Sequence, residues 1–146
     1  MAKSTFSGPI RSKAGIFNAG SDSVVSLTAD TTLTVDAHAG RILACNDADG
    51  KFTLPTILSS PLRLTLNNLG ATYTFFIETA ATDLDILTDG TDKFVGGLYT
   101  GKDDATGKTF IAGATNDVIT LNGSTKGGLA GSIIRVTAVA DNKYAV

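Results

Sequence analysis

Three features of this chain hold residue types that could do chemistry. The first is G-K-D-D-A-T-G-K-T at residues 101–109, which has the look of a phosphate loop. A phosphate cradle needs four residues between its glycine and the following Gly-Lys, and here Gly101 and Gly107 are separated by five. Asp103 and Asp104 would also place negative charge where a polyphosphate must sit. The adjoining residues T-F-I-A-G (109–113) have strand character and offer no helix N-terminus to face the phosphates. The stretch is therefore expected to be an exposed hairpin loop. The second feature, N-D-A-D-G-K at residues 46–51, resembles part of a calcium loop. An EF-hand register would put Cys45 at the first ligand position and Thr56 at the last, where a bidentate Glu is required. An Asp-Gly hairpin turn is the expectation. A looser calcium site shared with Asp83, Asp85, Asp89 and Asp92 stays open at this point.

The third feature is the pair of soft ligands, His38 and Cys45, each the only one of its type. Zinc would need more ligands than these two. A Ser-His-Asp triad would need a nucleophile elbow, and no G-x-S-x-G occurs. His38, in D-A-H-A-G, is expected in a turn. Cys45, in the apolar run R-I-L-A-C-N, reads as a small buried core residue. Glycosidase chemistry needs two carboxylates in a cleft, but the acids here are 13 Asp and a single Glu, Glu78, with the Asp mostly in turn contexts. Tyr73, Phe75 and Phe76 lie in a stretch without Lys or Arg, so core packing is expected there and not base stacking. No catalytic residue, cofactor site, metal site or small-molecule substrate is expected, and the chain is read as a non-enzyme.

The elements around these residues read as strands. V-V-S-L-T (24–28), T-T-L-T-V-D (31–36), R-I-L-A-C-N (41–46) and K-F-T-L-P (51–55) follow one another with turn signals between them. Leu62, Leu64 and Leu66 alternate with polar residues, T-Y-T-F-F-I-E (72–78) is expected to cross the core, and D-L-D-I-L (83–87) alternates acids with Leu84 and Ile86. F-V-G-G-L-Y-T (94–100), K-T-F-I-A (108–112) and three runs at 118–121, 133–139 and 143–146 complete the series. Gly127, Gly128 and Gly131 are expected to make turns. The best helix candidate is one turn at T-I-L-S-S (56–60), between Pro55 and Pro61. The chain is expected to be all-β, a single compact antiparallel sandwich or barrel with a jelly roll among the options.

Bulk composition agrees. The chain has 146 residues, 42 % hydrophobic and 18 % charged, enough for one domain with a real core. It has no Gln and little Glu or Met, while 16 Gly supply turns. No run approaches the roughly 20 apolar residues of a membrane span, and none has signal-peptide length, so synthesis in a cytoplasm is expected. The net charge of −2 carries no nucleic-acid footprint. The charge is unevenly spread: residues 1–21 hold Lys3, Arg11 and Lys13 without an acid, leaving −5 for the rest. Residues 1–23 are expected to form an extended arm ahead of a β domain at 24–146, with Lys3, Phe6, Pro9, Ile10, Arg11, Lys13, Ile16 and Phe17 as candidate partner-binding residues.

The stretches H-A-G-R-I-L-A-C-N-D-A-D-G-K-F-T-L-P, Y-T-F-F-I-E, F-V-G-G-L and the run from Asn116 to Val146 resemble a family of small tailed-bacteriophage virion proteins similar to capsid decoration (cement) proteins. The opening S-T-F-S-G-P-I-R-S (4–12) is similar to the starts of small structural proteins of marine tailed phages. The resemblance implies a homotrimer on the capsid surface, bound to the outer face of the major capsid protein lattice and stabilising the head, with the basic arm spanning subunits. A related G-x-x-T-L-P pattern occurs in repeat-bearing phage tail fibres. A fibre-like or receptor- or glycan-binding virion module is thus the alternative, with the loop 88–107 and Tyr99 as its candidate contact.

Overall fold

The computed structural model describes residues 20–59, 67–101 and 107–146. Residues 1–19 of the expected arm, with all eight candidate partner-binding residues, the expected strand through Leu62, Leu64 and Leu66, and most of the 101–107 loop lie outside the described residues.

The described chain is all-β, two packed sheets and a separate hairpin. It opens with a 3-10 turn at Ser21–Ser23, followed by β1 (Val24–Leu27), β2 (Thr31–Thr32) and the one-turn helix α1 (Val35–His38). Then come β3 (Ile42–Cys45), β4 (Lys51–Thr53), β5 (Thr72–Ile77), β6 (Leu84–Leu87), β7 (Lys93–Val95) and β8 (Gly97–Thr100). The last four strands are β9 (Lys108–Ile111), β10 (Val118–Leu121), β11 (Ile133–Ala140) and β12 (Lys143–Ala145). A six-stranded sheet has the order β1-β3-β5-β11-β12-β7, a four-stranded sheet the order β10-β6-β4-β2, and β8 pairs with β9 alone.

The all-β expectation holds, but the antiparallel pairing does not. Five of the nine strand pairs are parallel: β1–β3, β3–β5, β2–β4, β4–β6 and β12–β7. From β1 to β6 the chain alternates between sheets, and each strand lies parallel to the one laid down a turn earlier in its own sheet. The first half is therefore a two-sided coil. Its ladders continue past the strand ends, where Asn46 N–H donates to Leu27 C=O and Glu78 N–H to Cys45 C=O. Leu33 N–H donates to Thr53 C=O and Leu54 N–H to Leu87 C=O in the same way on the opposite side. The second half closes the sandwich antiparallel, β11 along β5 and β10 along β6.

The coil explains why the Asp47–Gly50 turn is not the expected hairpin. The strands it joins belong to different sheets, so the turn carries the chain from one layer to the other. Such layer-crossing turns stack: Thr82 N–H donates to Ala48 C=O and Asp85 N–H to Gly50 C=O. Lys51 N–H is held by the Asp30 carboxylate of the preceding turn, at 2.8 Å. Gly50 is required by contact, since a Cβ there would stand 2.8 Å from the Phe52 ring.

Three more local expectations change. The strand foreseen over 31–36 stops after Thr32, and the chain turns into α1. Thr34 Oγ1 accepts from Ala37 N–H, and the Thr34 N–H donates to His38 Nδ1 at 2.9 Å. These local bonds replace a strand partner. Leu33 is buried while Val35 faces solvent, so the two do not share a face. The helix turn foreseen at 56–60 is absent over 56–59. Asn68 Nδ2 donates to the Thr56 C=O, the acceptor a helical turn there would use, while Asp92 Oδ2 takes the Ile57 N–H and Asn68 Oδ1 the Leu58 N–H. The run 94–100 is split into β7 and β8 at Gly96, whose φ of 103° bends the chain out of the large sheet beside Val146. Gly127, Gly128 and Gly131 make turns as expected, all at positive φ.

The core fills the space between the sheets with Leu43, Cys45, Tyr73, Phe75, Ile77 and Val136 from one side and Phe52, Leu54, Leu84 and Ile86 from the other. β5 contributes every second residue, Tyr73, Phe75 and Ile77, all fully buried, whereas Phe76, expected in the core with them, falls on the outward face by the same alternation. Phe75 stacks on Phe52 across the sandwich, ring centroids 6.4 Å apart.

Candidate docking surface

The polar residues singled out in the sequence do not come together. His38 ends α1 and its ring serves that turn. Cys45 is fully buried in β3, and burial pushes its thiol up to about 12, so it is a protonated core residue. Asp85 accepts from the Thr120 hydroxyl at 2.7 Å, bracing β6 against β10. Asp89 folds back on its own loop, its Oδ1 accepting from the N–H groups of Thr91 and Asp92, both at 2.9 Å. Asp92 is buried, with Oδ2 on the Ile57 N–H at 2.8 Å. Among the described residues no three His, Cys, Asp or Glu side chains are grouped to hold a metal ion. The looser calcium site left open around Asp83, Asp85, Asp89 and Asp92 is thus not assembled among the described residues.

One buried polar cluster stands out. Asp92 Oδ1 and the Tyr73 hydroxyl are both buried without a hydrogen-bond partner, and Tyr144, whose hydroxyl donates to Pro55 C=O at 2.5 Å, packs edge-on against Tyr73. Burial raises the Asp92 carboxyl above its ordinary value, and the neighbouring Asp89 adds to this. The Ile57 N–H and Lys93 oppose the rise without cancelling it. Burial also pushes the Tyr73 hydroxyl up to about 12. For Asp89, burial would raise the carboxyl, but hydrogen bonds from the Asp92 amide, the Thr56 hydroxyl and the Thr91 amide hold it lower. Lys93 bridges this region to Asp117 at 2.8 Å, and that bond lowers the Asp117 carboxyl. Apart from the Tyr73 hydroxyl, these groups tie loops to the sandwich.

The surface is more informative than the polar groups. β8 and β9 pair Gly97 with Ile111, Leu98 with Phe110 and Tyr99 with Thr109. Leu98 is half-buried against the core, whereas Tyr99 and Ile111 are 72 % and 76 % exposed. The Tyr99 ring lies across the hairpin, its hydroxyl reaching the space a Cβ at Gly107 would take. Between the hairpin, β10 and the loop ahead of β11 runs an apolar cleft of about 490 Å³. Leu98, Phe110, Ile119, Leu121, Leu129 and Ile134 are among its walls, and Lys126 is the one charged side chain among its described lining residues. Twelve large hydrophobic side chains are exposed on the described protein. Six of them, Tyr99, Phe110, Ile111, Val118, Leu129 and Ile133, line this one cleft. Exposed apolar side chains scattered singly need no explanation, but a concentration of this kind marks an interaction surface.

The sequence points to Tyr99 alone in this region. Phe110, Ile111, Leu129 and Ile133 have the local pattern of ordinary strand or loop residues. Their convergence depends on how the hairpin folds over β10, which no local pattern reveals. Among the described residues no helix is long and apolar enough to cross a membrane. No protein-family model, no curated protein and no solved structure matches the chain.

Proposed function

We propose that this chain is a non-enzymatic β-sandwich that docks onto a larger protein assembly, and that the assembly is the outer surface of a bacteriophage major capsid protein lattice. The observation that carries the docking reading is the gathering of six exposed hydrophobic side chains around the hairpin cleft. The virion assignment is what the resemblance of the sequence implies. Each bound copy would bury apolar surface on the lattice, and a copy that prefers the expanded lattice stabilises it by mass action. Many such copies on a repeating surface act together through multivalency.

The test is to add purified protein to undecorated capsids and measure occupancy and the temperature or osmotic shock of rupture. The wild-type protein is expected to bind and raise the rupture threshold. Ile111→Asp and Leu129→Asp are expected to lower occupancy at least about tenfold, since each puts a charge into a desolvated contact. A deletion of residues 2–20 measures separately what the basic segment adds. Unchanged occupancy in both point variants would remove the cleft from the contact. A second reading, a receptor- or glycan-binding virion module, draws on the exposed Tyr99 ring, which offers the aromatic face sugars stack on. Glycan-array binding that is lost in Tyr99→Ala, with no capsid affinity, would favour it.

A further inference from the structure

The outer face of the six-stranded sheet is a second apolar surface. β1, β3 and β5 form a parallel run at one edge of it, continued by the antiparallel β11, and their outward residues line up in two rows across the strands. One row is Ser26, Ala44, Phe76 and Ile133, and the other is Val24, Ile42, Thr74 and Arg135. Val24, Ile42 and Ile133 are 49 %, 45 % and 65 % exposed, and with Phe76 they line one shallow groove. In an all-parallel sheet helical crossovers cover both faces; here the crossovers between β1, β3 and β5 run through the four-stranded sheet and leave the outer side without such a layer. The inner face here is covered by the four-stranded sheet, while no described residue covers the outer one.

The charges on this face indicate the occupant. Glu78 continues the outward series of β5 at one end of the groove. Arg135, outward on β11 and paired with Thr74, lies on the opposite side of the Phe76–Ile133 row. An acid and a base thus bracket an apolar row on a single face. Consider a two-fold axis in the plane of the face, running across the strands through the Phe76–Ile133 pair. Rotation about it reverses the strand direction and stacks a second copy face to face. Phe76 and Ile133 then meet their own counterparts, and Glu78 of each copy stands over Thr74 of the other, one strand away from its Arg135 and within reach of that long side chain. This is the self-complementarity an isologous interface requires. Face-to-face sheets with closely aligned strands are also an ordinary packing.

We infer that the outer face of the β1-β3-β5-β11 sheet is a self-association surface, whose occupant is the same face of a second copy of this chain. It is distinct from the hairpin cleft proposed to dock on the capsid, apart from Ile133 at their shared border.

Sedimentation of the full-length protein over a concentration series tests this. The expected result is a reversible shift from 15.0 kDa toward twice that mass. Glu78→Arg and Arg135→Glu should each weaken the association about tenfold or more, and the double swap should restore it. Phe76→Lys should abolish it, with circular dichroism confirming that each variant is folded. A monomer at every concentration, or the trimer that the resemblance implies in place of a dimer, would overturn the inference, and a monomer would leave the chain's own residues 1–19 or another protein to cover the face. Association insensitive to the Glu78 and Arg135 single swaps, or a double swap that fails to restore it, would overturn it as well. Capsid occupancy of Glu78→Arg separates the two proposals, because the hairpin cleft is untouched by that change.

Discussion

Asp92 shows how one residue can carry a cost that its neighbours absorb. One carboxylate oxygen closes the Ile57 amide while the other is buried without a partner. A carboxyl raised in the folded state contributes stability that is fully present below its unfolded value. That contribution is lost as pH rises through the folded value. The ionised form is therefore the unfavourable one. Asp92→Asn keeps an oxygen acceptor for Ile57 and removes the titration. Relative to wild type it should gain stability as pH is raised from about 4, the ordinary carboxylate value, through the raised folded value, and level off above it. Urea denaturation midpoints of both proteins across that range measure this, and a gap that stays constant with pH would contradict it. Asp89 and Asp117 act in the opposite sense. Their lowered carboxyls stabilise the fold above the unfolded value and lose that contribution as pH falls. At this scale the sequence was partly legible. Cys45 was readable as core because its neighbours are apolar. The burial of Asp92 was not, because D-G-T-D has the composition of an exposed turn and only the Pro55–Ile57 segment passing over it makes it a core residue.

At the scale of elements, period-two alternation located most strands, and β5 is the clearest case, with Tyr73, Phe75 and Ile77 all inward. Alternation worked there because one face meets the opposite sheet and the other does not. It failed at Thr31–Asp36, where the capping bonds of Thr34 outweigh a strand with few partners. It also failed at 94–100, where Gly96 breaks one apparent strand into members of two sheets. The two layers meet most directly through Phe52 of β4 and Phe75 of β5. Truncating Phe52 to Ala removes a fully buried ring between sheets that cannot close over the gap. The unfolding free energy should fall by about 3–5 kcal/mol. Chemical denaturation checks this, and a loss below about 1 kcal/mol would mean the layers repack.

For the whole molecule, stability should be uneven. β5 lies between β3 and β11 in the middle of the large sheet, while β8 and β9 pair only with each other and β9 is exposed along its length. In native-state hydrogen exchange, amides of β5 and its facing β11 residues should exchange only through global unfolding. Those of the β8–β9 hairpin should exchange through local opening at a much lower free energy. Equal protection in the two regions would show that the hairpin is held more firmly than its pairing indicates. A hairpin that opens locally is also suited to adjusting the cleft beneath it to a partner, which connects this prediction to the proposed capsid contact.

The sequence by itself determined that the chain is all-β, which residues face the core in β6, and where glycine must turn the backbone. Each of these depends on neighbours a few residues away, and hydrophobic period and turn chemistry record that distance. Only the tertiary structure decided that consecutive strands change sheets and lie parallel, because a short polar turn reads the same whether it closes a hairpin or crosses between layers. Only the tertiary structure, too, gathered Tyr99, Phe110, Ile111, Leu129 and Ile133 around one cleft. Surface proximity between distant strands is set by sheet order, and sheet order leaves no trace in local periodicity.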